Sequence, residues 1–344
     1  MTHRIQLALI GAGAIATTHL ESAIAATQTQ FMALADPRPE TKQLAQRYGL
    51  KWFANYTDLI ESSKPEGVVI AVPNSLHEQV ASYALQKKIP VLLEKPIADS
   101  TTQGLHLAQL SEQQQTPLLV AHHRRHNPII RTARHVIQEG RLGQLVGVNS
   151  LISFYKPESY FEQKWRVVAG GGPVLINLIH EIDMLRFILG EIVDIQAMTA
   201  NTARQHEVED SAAVLLRFEN GCLATLLLSD SAVSPWSWEL TSNENPYMFP
   251  HVSQNSHHFL GTKASFSLPS LTLWHYADQA SWSEPIQQQQ LSLLPQEFSS
   301  YEEQLRHFGA VIRGEEKPII DALDATRTLA ATLRIIDSSQ AFRI

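Results

Sequence analysis

Ile5-Gln6-Leu7-Ala8-Leu9-Ile10-Gly11-Ala12-Gly13-Ala14-Ile15-Ala16-Thr17-Thr18 is the stretch that decides the fold. Leu7 to Ile10 form a short apolar run without charge, small residues follow at once, and a helix-compatible stretch continues to Ala26. Strand, glycine turn and helix in this order, with Ala16 in the third small position, match a dinucleotide-binding turn. Gly11 permits the tight turn, Gly13 admits the backbone to a pyrophosphate, and Ala16 lets helix and strand pack closely. Gly11, Gly13, Ala14 and Ile15 are thus candidate cofactor-binding residues, because a helix start offers unpaired N–H groups and a positive dipole end to an anion. Small residues at such a turn also serve packing alone, so a second signal is needed.

The next strand supplies it. Phe31 to Ala35 is apolar and ends in Asp36, an acid placed to accept from a ribose 2′-OH. Asp36 could equally cap the turn before Pro37. A carboxylate there favours NAD over NADP, whereas the nearby Arg38 would accommodate a 2′-phosphate, so NADP stays open.

Strand and helix patterns alternate to about residue 121. Gly67 to Val72 is a continuous β-branched run, as expected of a parallel strand buried on both faces. Helices are expected over Glu40 to Tyr48, His77 to Lys87 and Thr101 to Gln113, with further strands at Pro90 to Leu93 and Pro117 to Ala121. This is a doubly wound parallel sheet, in which ligands sit outside the carboxyl ends of the strands. Those ends carry Gly11, Asp36, Pro73-Asn74 with His77 just beyond, Glu94-Lys95 and His122-His123-Arg124-Arg125.

Beyond residue 121 the pattern shifts to longer strands at Leu145 to Tyr155, Val193 to Thr202, Ser211 to Phe218, Cys222 to Ser229, Ala264 to Leu268 and Leu271 to Tyr276, with a hairpin turn at Glu219-Asn220-Gly221. Residues 231–260 and 278–297 read as long loops, and two helices, Ser299 to Arg313 and Asp321 to Ser338, close the chain. The expected division is a dinucleotide-binding domain over 1–121 and an α+β domain on a largely antiparallel sheet over 122–344, its C-terminal helices able to pack back on the first domain.

The bulk composition narrows the function. The 344 residues are 44% hydrophobic and 18% charged with a net charge of −7, so no basic field for nucleic acid is expected. The one cysteine, Cys222, excludes an internal disulfide framework and fits a reducing, cytoplasmic setting. Its place in a strand marks a buried small hydrophobe rather than a reactive thiol. No apolar stretch approaches a membrane span and no signal-peptide core is visible, so no membrane partner is expected.

Catalytic candidates stand in both parts. Lys95 lies at a carboxyl edge with Pro96 stiffening its turn; it either points to solvent beside Glu94 or stabilises developing alkoxide charge on a substrate. A second helix opens at Gly170-Gly171-Gly172-Pro173, with Leu175, Leu178, Ile182, Leu185 and Leu189 as its apolar stripe and Asn177, His180, Glu181 and Met184 on the opposite face. His180 is either a surface histidine or a proton carrier. No metal is expected, since His180 and Asp183 lack third and fourth ligands at recognisable spacing. His122 to Asn127 reads either as a solvated linker or as a substrate contact through Arg124, which would suit an acidic cyclic alcohol. Lys156, Tyr160, Lys164, Trp165 and Arg166 pair rings with cations, a combination that suits polyhydroxylated rings but also occurs on plain surface loops.

Taken together, Gly11 to Ala16, Pro73-Asn74 with His77, Glu94-Lys95-Pro96, Gly170-Gly171-Gly172 followed by His180-Glu181-Ile182-Asp183, and the C-terminal Arg306-His307-Phe308 and Pro318 resemble the Gfo/Idh/MocA oxidoreductases over nearly the whole chain. The resemblance implies a Rossmann domain, an open-faced second sheet, and NAD(P)-dependent hydride transfer at a secondary alcohol carbon of a sugar, polyol or cyclic hydroxy acid. It implies Lys95 and His180 in catalysis, and the dinucleotide against Gly11, Gly13, Ala14, Ile15, Asp36, Arg38, Pro73, Asn74, His77, Glu94 and Lys95. Substrate would meet Arg124, Lys156, Tyr160, Trp165 and Asp183, and a homodimer or homotetramer would form through the large sheet. Members commonly carry a catalytic Asp four residues before the His; here that position is Ile176, and Asn177 is expected to position substrate instead. The departure keeps a non-catalytic dinucleotide-dependent sensor alive as a reading, and among enzymes a cis-dihydrodiol dehydrogenase is the alternative.

Overall fold

The computed structural model describes residues 3–340. Its residues form two compact units, one up to His126 together with Glu297–Ala330, the other Asn127–Gln296 with the residues from Ala331 onward.

The first unit is a six-stranded parallel sheet in the order β3-β2-β1-β4-β5-β6. Its elements run β1 (Ile5–Ile10), α1 (Ala16–Ala26), β2 (Thr29–Ala35), α2 (Lys42–Arg47), β3 (Lys51–Phe53), α3 (Tyr56–Ser63), β4 (Gly67–Ile70), α4 (His77–Gln86), β5 (Val91–Leu93), α5 (Thr101–Gln114) and β6 (Leu118–Val120). β1 is central because Leu7, Ala8 and Leu9 are wholly buried between neighbours on both sides, as the uncharged run demands. β3 is short and half exposed, and its sequence carries no strand signature of its own.

The second unit runs α6 (Pro128–Gln138), β7 (Leu145–Ser153), α7 (Ile179–Leu189), β8 (Ile192–Ala200), β9 (Ser211–Phe218), β10 (Leu223–Ser229), the one-turn α8 (Trp238–Thr241), β11 (His257–Gly261), β12 (Ala264–Leu268), β13 (Thr272–His275) and β14 (Gln287–Gln290). Its eight strands are ordered β14-β13-β12-β11-β7-β10-β9-β8. Every pairing is antiparallel except β7 with β10. One face packs against α6 and α7 through a core that includes Ile152, Ile182, Leu226, Phe218 and Phe259. The other face is exposed in alternation along β9 and β10, which is the period-2 pattern of a half-covered sheet. Two strands occupy stretches expected as loops: β11, which begins within 231–260, and β14, which is the Gln287–Gln290 run itself. Both lack apolar alternation; β14 is an edge strand with all four residues exposed, so pairing to β13 alone defines it.

Two further helices follow. α9 (Ser300–Ile312), opened by a capping box between Ser299 and Glu302, belongs to the first unit. There Phe308 and Ile312 pack where Gly67 leaves room: a Cβ on Gly67 would lie 2.7 Å from Ile312 Cδ1. α10 (Ala322–Gln340) begins in the first unit and ends in the second.

Candidate functional site

In the first unit the glycine turn is built as a dinucleotide requires. Gly11 has φ +100°, and a Cβ there would stand 2.3 Å from the carbonyl oxygen of Ala71, so the β1 and β4 ends approach as closely as glycine alone allows. Gly13 and Ala14 are exposed, and no side chain caps α1, which leaves its first-turn N–H groups to an incoming anion.

Asp36 closes the turn from β2. Its Oδ2 accepts from the Ala12 N–H at 2.8 Å, and its two oxygens accept from Arg38 Nε and Nη2, both at 2.9 Å. Arg38 also donates to the Ala12 carbonyl at 3.0 Å. Burial works to raise the Asp36 pKa, but the Arg38 and Ala12 hydrogen bonds outweigh it and hold the carboxyl below its ordinary range. Beside this pair lies a cavity of about 440 Å³ lined by Ala12, Arg38, Glu40, Thr41, Gln43, Leu44 and Arg47. An exposed glycine backbone, an ionised acid at the end of β2 and an adjoining cavity fit a dinucleotide with its pyrophosphate at the turn and its ribose toward Asp36.

The other expected cofactor residues divide between surface and interior. Pro73 is exposed at the start of a 3₁₀ turn, Asn74–Leu76, and Asn74 is half-buried. His77, by contrast, is fully buried: Nδ1 meets the Pro96 carbonyl at 2.7 Å and Nε2 the Val72 carbonyl at 3.0 Å. Burial lowers its pKa despite the pull of both carbonyls. Glu94 contacts His19 Nε2 at 2.8 Å and accepts from the Lys95 N–H at 3.2 Å. Burial tends to raise Glu94, yet His19 and the charge of Lys95 keep it below the ordinary carboxylate range. Lys95 itself is half-buried.

His122 to His126 is not a solvated linker. His122, Arg124, Arg125 and His126 are all buried in the first unit. Arg125 ion-pairs with Asp324 and donates to the Ile319 carbonyl at 3.1 Å, while His123 stacks on Tyr301 with ring centroids 4.4 Å apart. The run packs against α9 through the His123–Tyr301 stack, while Arg125 finds its partners at Ile319 and Asp324, at the start of α10.

In the second unit, the turn before α7 is a π-helix, Val174–Leu178, so the α-helical spacing assumed between Asn177 and His180 begins only at Ile179. The apolar stripe Leu175, Leu178, Ile182, Leu185 and Leu189 is buried as expected. Glu181 and Met184, assigned to a polar face, are also wholly buried, and so is Asp183. Glu181 tolerates this because His257 Nε2 stands 2.8 Å from its Oε2, with His257 Nδ1 in turn 2.9 Å from Ser256 Oγ. His180 is half-buried.

Asn177 and Lys156 are brought together: Lys156 Nζ donates to Asn177 Oδ1 at 2.7 Å. Lys156 is buried, 3.3 Å from Asp230 Oδ2 and 4.8 Å from the Tyr160 ring centroid. Burial depresses its pKa, and Asp230 opposes that shift. A second cation meets Tyr160 in Arg166, whose guanidinium lies 3.9 Å from the ring centroid. Asp230 is shared with Arg204 Nε at 3.0 Å. Trp165 is half exposed; it donates to Gln163 at 2.9 Å and reaches the cluster only through Arg166, 5.2 Å from its ring centroid. Together the groups can orient hydroxyls: a fixed cation, an amide and a phenol ring edge.

Four residues of these networks escape a reading of the chain. Asp230 has a signal, an acid closing an apolar strand as Asp36 does. His19 has one too, a histidine on the first turn of the helix that follows the glycine turn. Arg204 and His257 have none, since their partners lie 26 and 76 residues away.

Two family models cover successive parts of the chain. One, an oxidoreductase family with an NAD-binding Rossmann fold, matches residues 5–122; the other, a GFO/IDH/MocA C-terminal domain, matches residues 130–267. The chain is 28% identical over 188 residues to the rhizopine catabolism protein MocA of Rhizobium meliloti, covering 55% of this chain and 58% of that protein. It is 23% identical over 230 residues to inositol 2-dehydrogenase of Corynebacterium glutamicum, covering 65% and 66%. The matched stretches thus span less than two thirds of these two relatives. Among solved structures, the WlbA dehydrogenase of Bordetella pertussis, in complex with NADH and UDP-GlcNAcA, superposes with a TM-score of 0.79 at 19% identity over 98% of this chain and 97% of that one. An oxidoreductase of Agrobacterium radiobacter with NAD⁺, L-tartaric acid and magnesium gives 0.80 at 18% identity over 99% and 98%. At such identities the likeness is one of fold.

Proposed function

The chain belongs to the Gfo/Idh/MocA oxidoreductase family, and from that premise we propose that it is an NAD-dependent dehydrogenase acting on a secondary alcohol carbon of a sugar, polyol or cyclic hydroxy acid. The observation that carries this is the Gly11 turn, closed by the ionised Asp36 at the end of β2. The cofactor, when bound, accepts or returns the hydride at its nicotinamide ring. Gly13, Ala14 and the α1 N-terminus would hold the pyrophosphate, and Asp36 would accept from the ribose hydroxyls beside Arg38. Lys95 polarises the substrate oxygen and steadies its negative charge. His180 takes the hydroxyl proton as the carbon gives up hydride, and returns it in the reductive direction. Asn177, held by Lys156, donates its amide N–H₂ to a substrate hydroxyl, with Tyr160 and Trp165 as further substrate contacts; Arg124 and Asp183, expected there from the sequence, are buried and offer no surface to a substrate in this arrangement.

The relatives' names, inositol dehydrogenase and rhizopine catabolism protein, support a polyol-type substrate. The test is a screen of polyols, sugars and hydroxy acids with NAD⁺ and NADP⁺, followed at the nicotinamide absorbance band. Reduction of NAD⁺ by one class supports the proposal. Stoichiometric NAD binding without turnover favours the sensor reading, which Ile176 in place of the usual acid already recommends.

The working form is a homo-oligomer in the cytoplasm. On the bare face of the large sheet, Met198, Leu215, Leu223, Leu227 and Leu260 are exposed, and a second copy would cover them. No helix among the described residues is long and apolar enough to cross a membrane, and the single cysteine fits a reducing compartment. Light scattering of wild type and of Leu227→Lys tests the association: a dimer or tetramer that dissociates on substitution supports it, and a monomeric wild type refutes it.

A further inference from the structure

The turn Glu94-Lys95-Pro96 is gripped from two sides. From α1, His19 reaches it with no exposed surface, and the ring's one described hydrogen bond goes to Glu94 Oε1 at 2.8 Å. Glu94 passes that restraint on, since its Oε2 accepts from the backbone N–H of Lys95 at 3.2 Å. From the first residue of α4, His77 contacts the Pro96 carbonyl through Nδ1 at 2.7 Å and the Val72 carbonyl through Nε2 at 3.0 Å. The residues before and after Lys95 are thus each tied to a different helix, and β4 adds a third tie through the Glu94 N–H to the Ile70 carbonyl at 2.9 Å.

A turn after a strand does not need this much. Exposed turns satisfy their backbone groups with water, whereas here two imidazoles and a carboxylate are taken out of water, which is unfavourable unless each is well bonded. Neither imidazole reaches solvent, so neither can touch substrate in this arrangement. What the arrangement secures is the placement of the residue between the two ties. Reactions that need a donor group within hydrogen-bond reach lose about 100-fold in rate for a displacement of about 1 Å, so rigidity at that residue has a kinetic value that rigidity elsewhere lacks.

We propose that His19 and His77 are positioning residues for the Lys95 amine, His19 acting through the Glu94 carboxylate and His77 through the Pro96 carbonyl. This rests on the reading in which Lys95 takes part in the chemistry.

The two nitrogens of His77 allow a sharp test, because Asn places an amide near Nδ1 and Gln places one near Nε2. His77→Asn keeps the Pro96 contact and restores most of the turnover, whereas His77→Gln keeps the Val72 contact and loses about 10- to 100-fold in kcat. His19→Gln likewise outperforms His19→Ala. The affinity for NADH, read by fluorescence, stays within about threefold throughout, since the pyrophosphate and ribose contacts are elsewhere. In a Lys95→Met background, the substitutions at 19 and 77 no longer change kcat, because the group they position is gone. A structural role alone predicts the reverse: equal losses from His77→Asn and His77→Gln, thermal midpoint and NADH affinity falling with kcat, and the same factors in the Lys95→Met background. Either pattern decides the proposal. The pH dependence of Lys95 labelling by an amine-modifying reagent, read by mass spectrometry in the cofactor-free protein, separates it from its premise. Full activity of Lys95→Met alone removes the catalytic reading of Lys95, while a labelling profile shifted by His77→Gln and not by His77→Asn still supports the positioning. A profile unmoved by either overturns it.

Discussion

The Lys156 ammonium and the Asn177 side chain meet at 2.7 Å, and because a lysine only donates, the amide must turn its oxygen to Nζ and its N–H₂ away. Lys156 therefore sets the orientation of the one polar residue beside the position where the family's usual acid is replaced by Ile176. Lys156→Met should leave Asn177 free to rotate and cost about tenfold in kcat/KM, about 1.4 kcal/mol, mostly through KM. Steady-state kinetics with the substrate found by screening checks this; an unchanged KM removes Asn177 from substrate binding.

Gly11→Ala forces a Cβ to within 2.3 Å of the Ala71 carbonyl at a φ of +100°. Two strand ends would have to part, so the substitution should cost about 2–4 kcal/mol of stability and most of the NAD affinity. Thermal unfolding and NADH fluorescence measure both, and a variant that keeps its midpoint and its affinity would refute the close approach.

Asp36 and Arg38 should decide cofactor choice jointly, since each holds the other at the end of β2. With the carboxylate removed by Asp36→Ala, the Arg38 guanidinium loses its partner and faces the cavity that Arg47 also lines. NADP⁺ affinity should then rise and NAD⁺ affinity fall by about tenfold, since the ribose hydroxyls lose their acceptor. Calorimetric titration with both dinucleotides settles it, and an unchanged ratio would contradict the assignment.

Acid should weaken the first unit through Glu94 and Asp36. Both have folded pKa values below their unfolded ones, so the unfolded chain takes up protons first as the pH falls. Their stabilisation is complete above the ordinary carboxylate range, about pH 4, and disappears as the pH drops through that range to the depressed values. In a midpoint-against-pH series, Glu94→Gln should flatten the acid limb relative to wild type. A limb of equal steepness would mean that Glu94 is not held ionised by His19.

Cys222 should be inert while the chain is folded. Burial pushes its thiol up to about 11, so almost none is thiolate at neutral pH. An aromatic disulfide reagent should titrate no thiol in the native protein and a single one in denaturant; fast native labelling would show that the segment before β10 opens.

Much of this architecture was legible in the chain. Leu7 to Ile10, the Gly11 turn and Asp36 carry local signals, because each task demands a particular residue type at a particular spacing. Lengths of α4, α5 and β9 follow from apolar periodicity in the same way. The failures share one cause, partners distant in sequence. Glu181 looks like a surface acid until His257 arrives from β11, and the Gln287–Gln290 run looks like a loop until β13 supplies its pairing. The family resemblance places His77 against the cofactor, yet two backbone carbonyls claim its ring. The π-turn at Val174–Leu178 could not be foreseen either, since nothing in Val-Leu-Ile-Asn-Leu distinguishes i+5 from i+4 bonding.

Single-turnover reduction of bound NAD⁺ in wild type and in Lys95→Ala, with NADH affinity measured on the same samples, separates a catalytic Lys95 from one that only shapes the cofactor site. A catalytic Lys95 requires that Lys95→Ala lose at least about 100-fold of the hydride-transfer rate while its affinity for NADH changes by no more than about threefold. A variant that loses rate and affinity in equal proportion, or one that reduces NAD⁺ as fast as wild type, would contradict it.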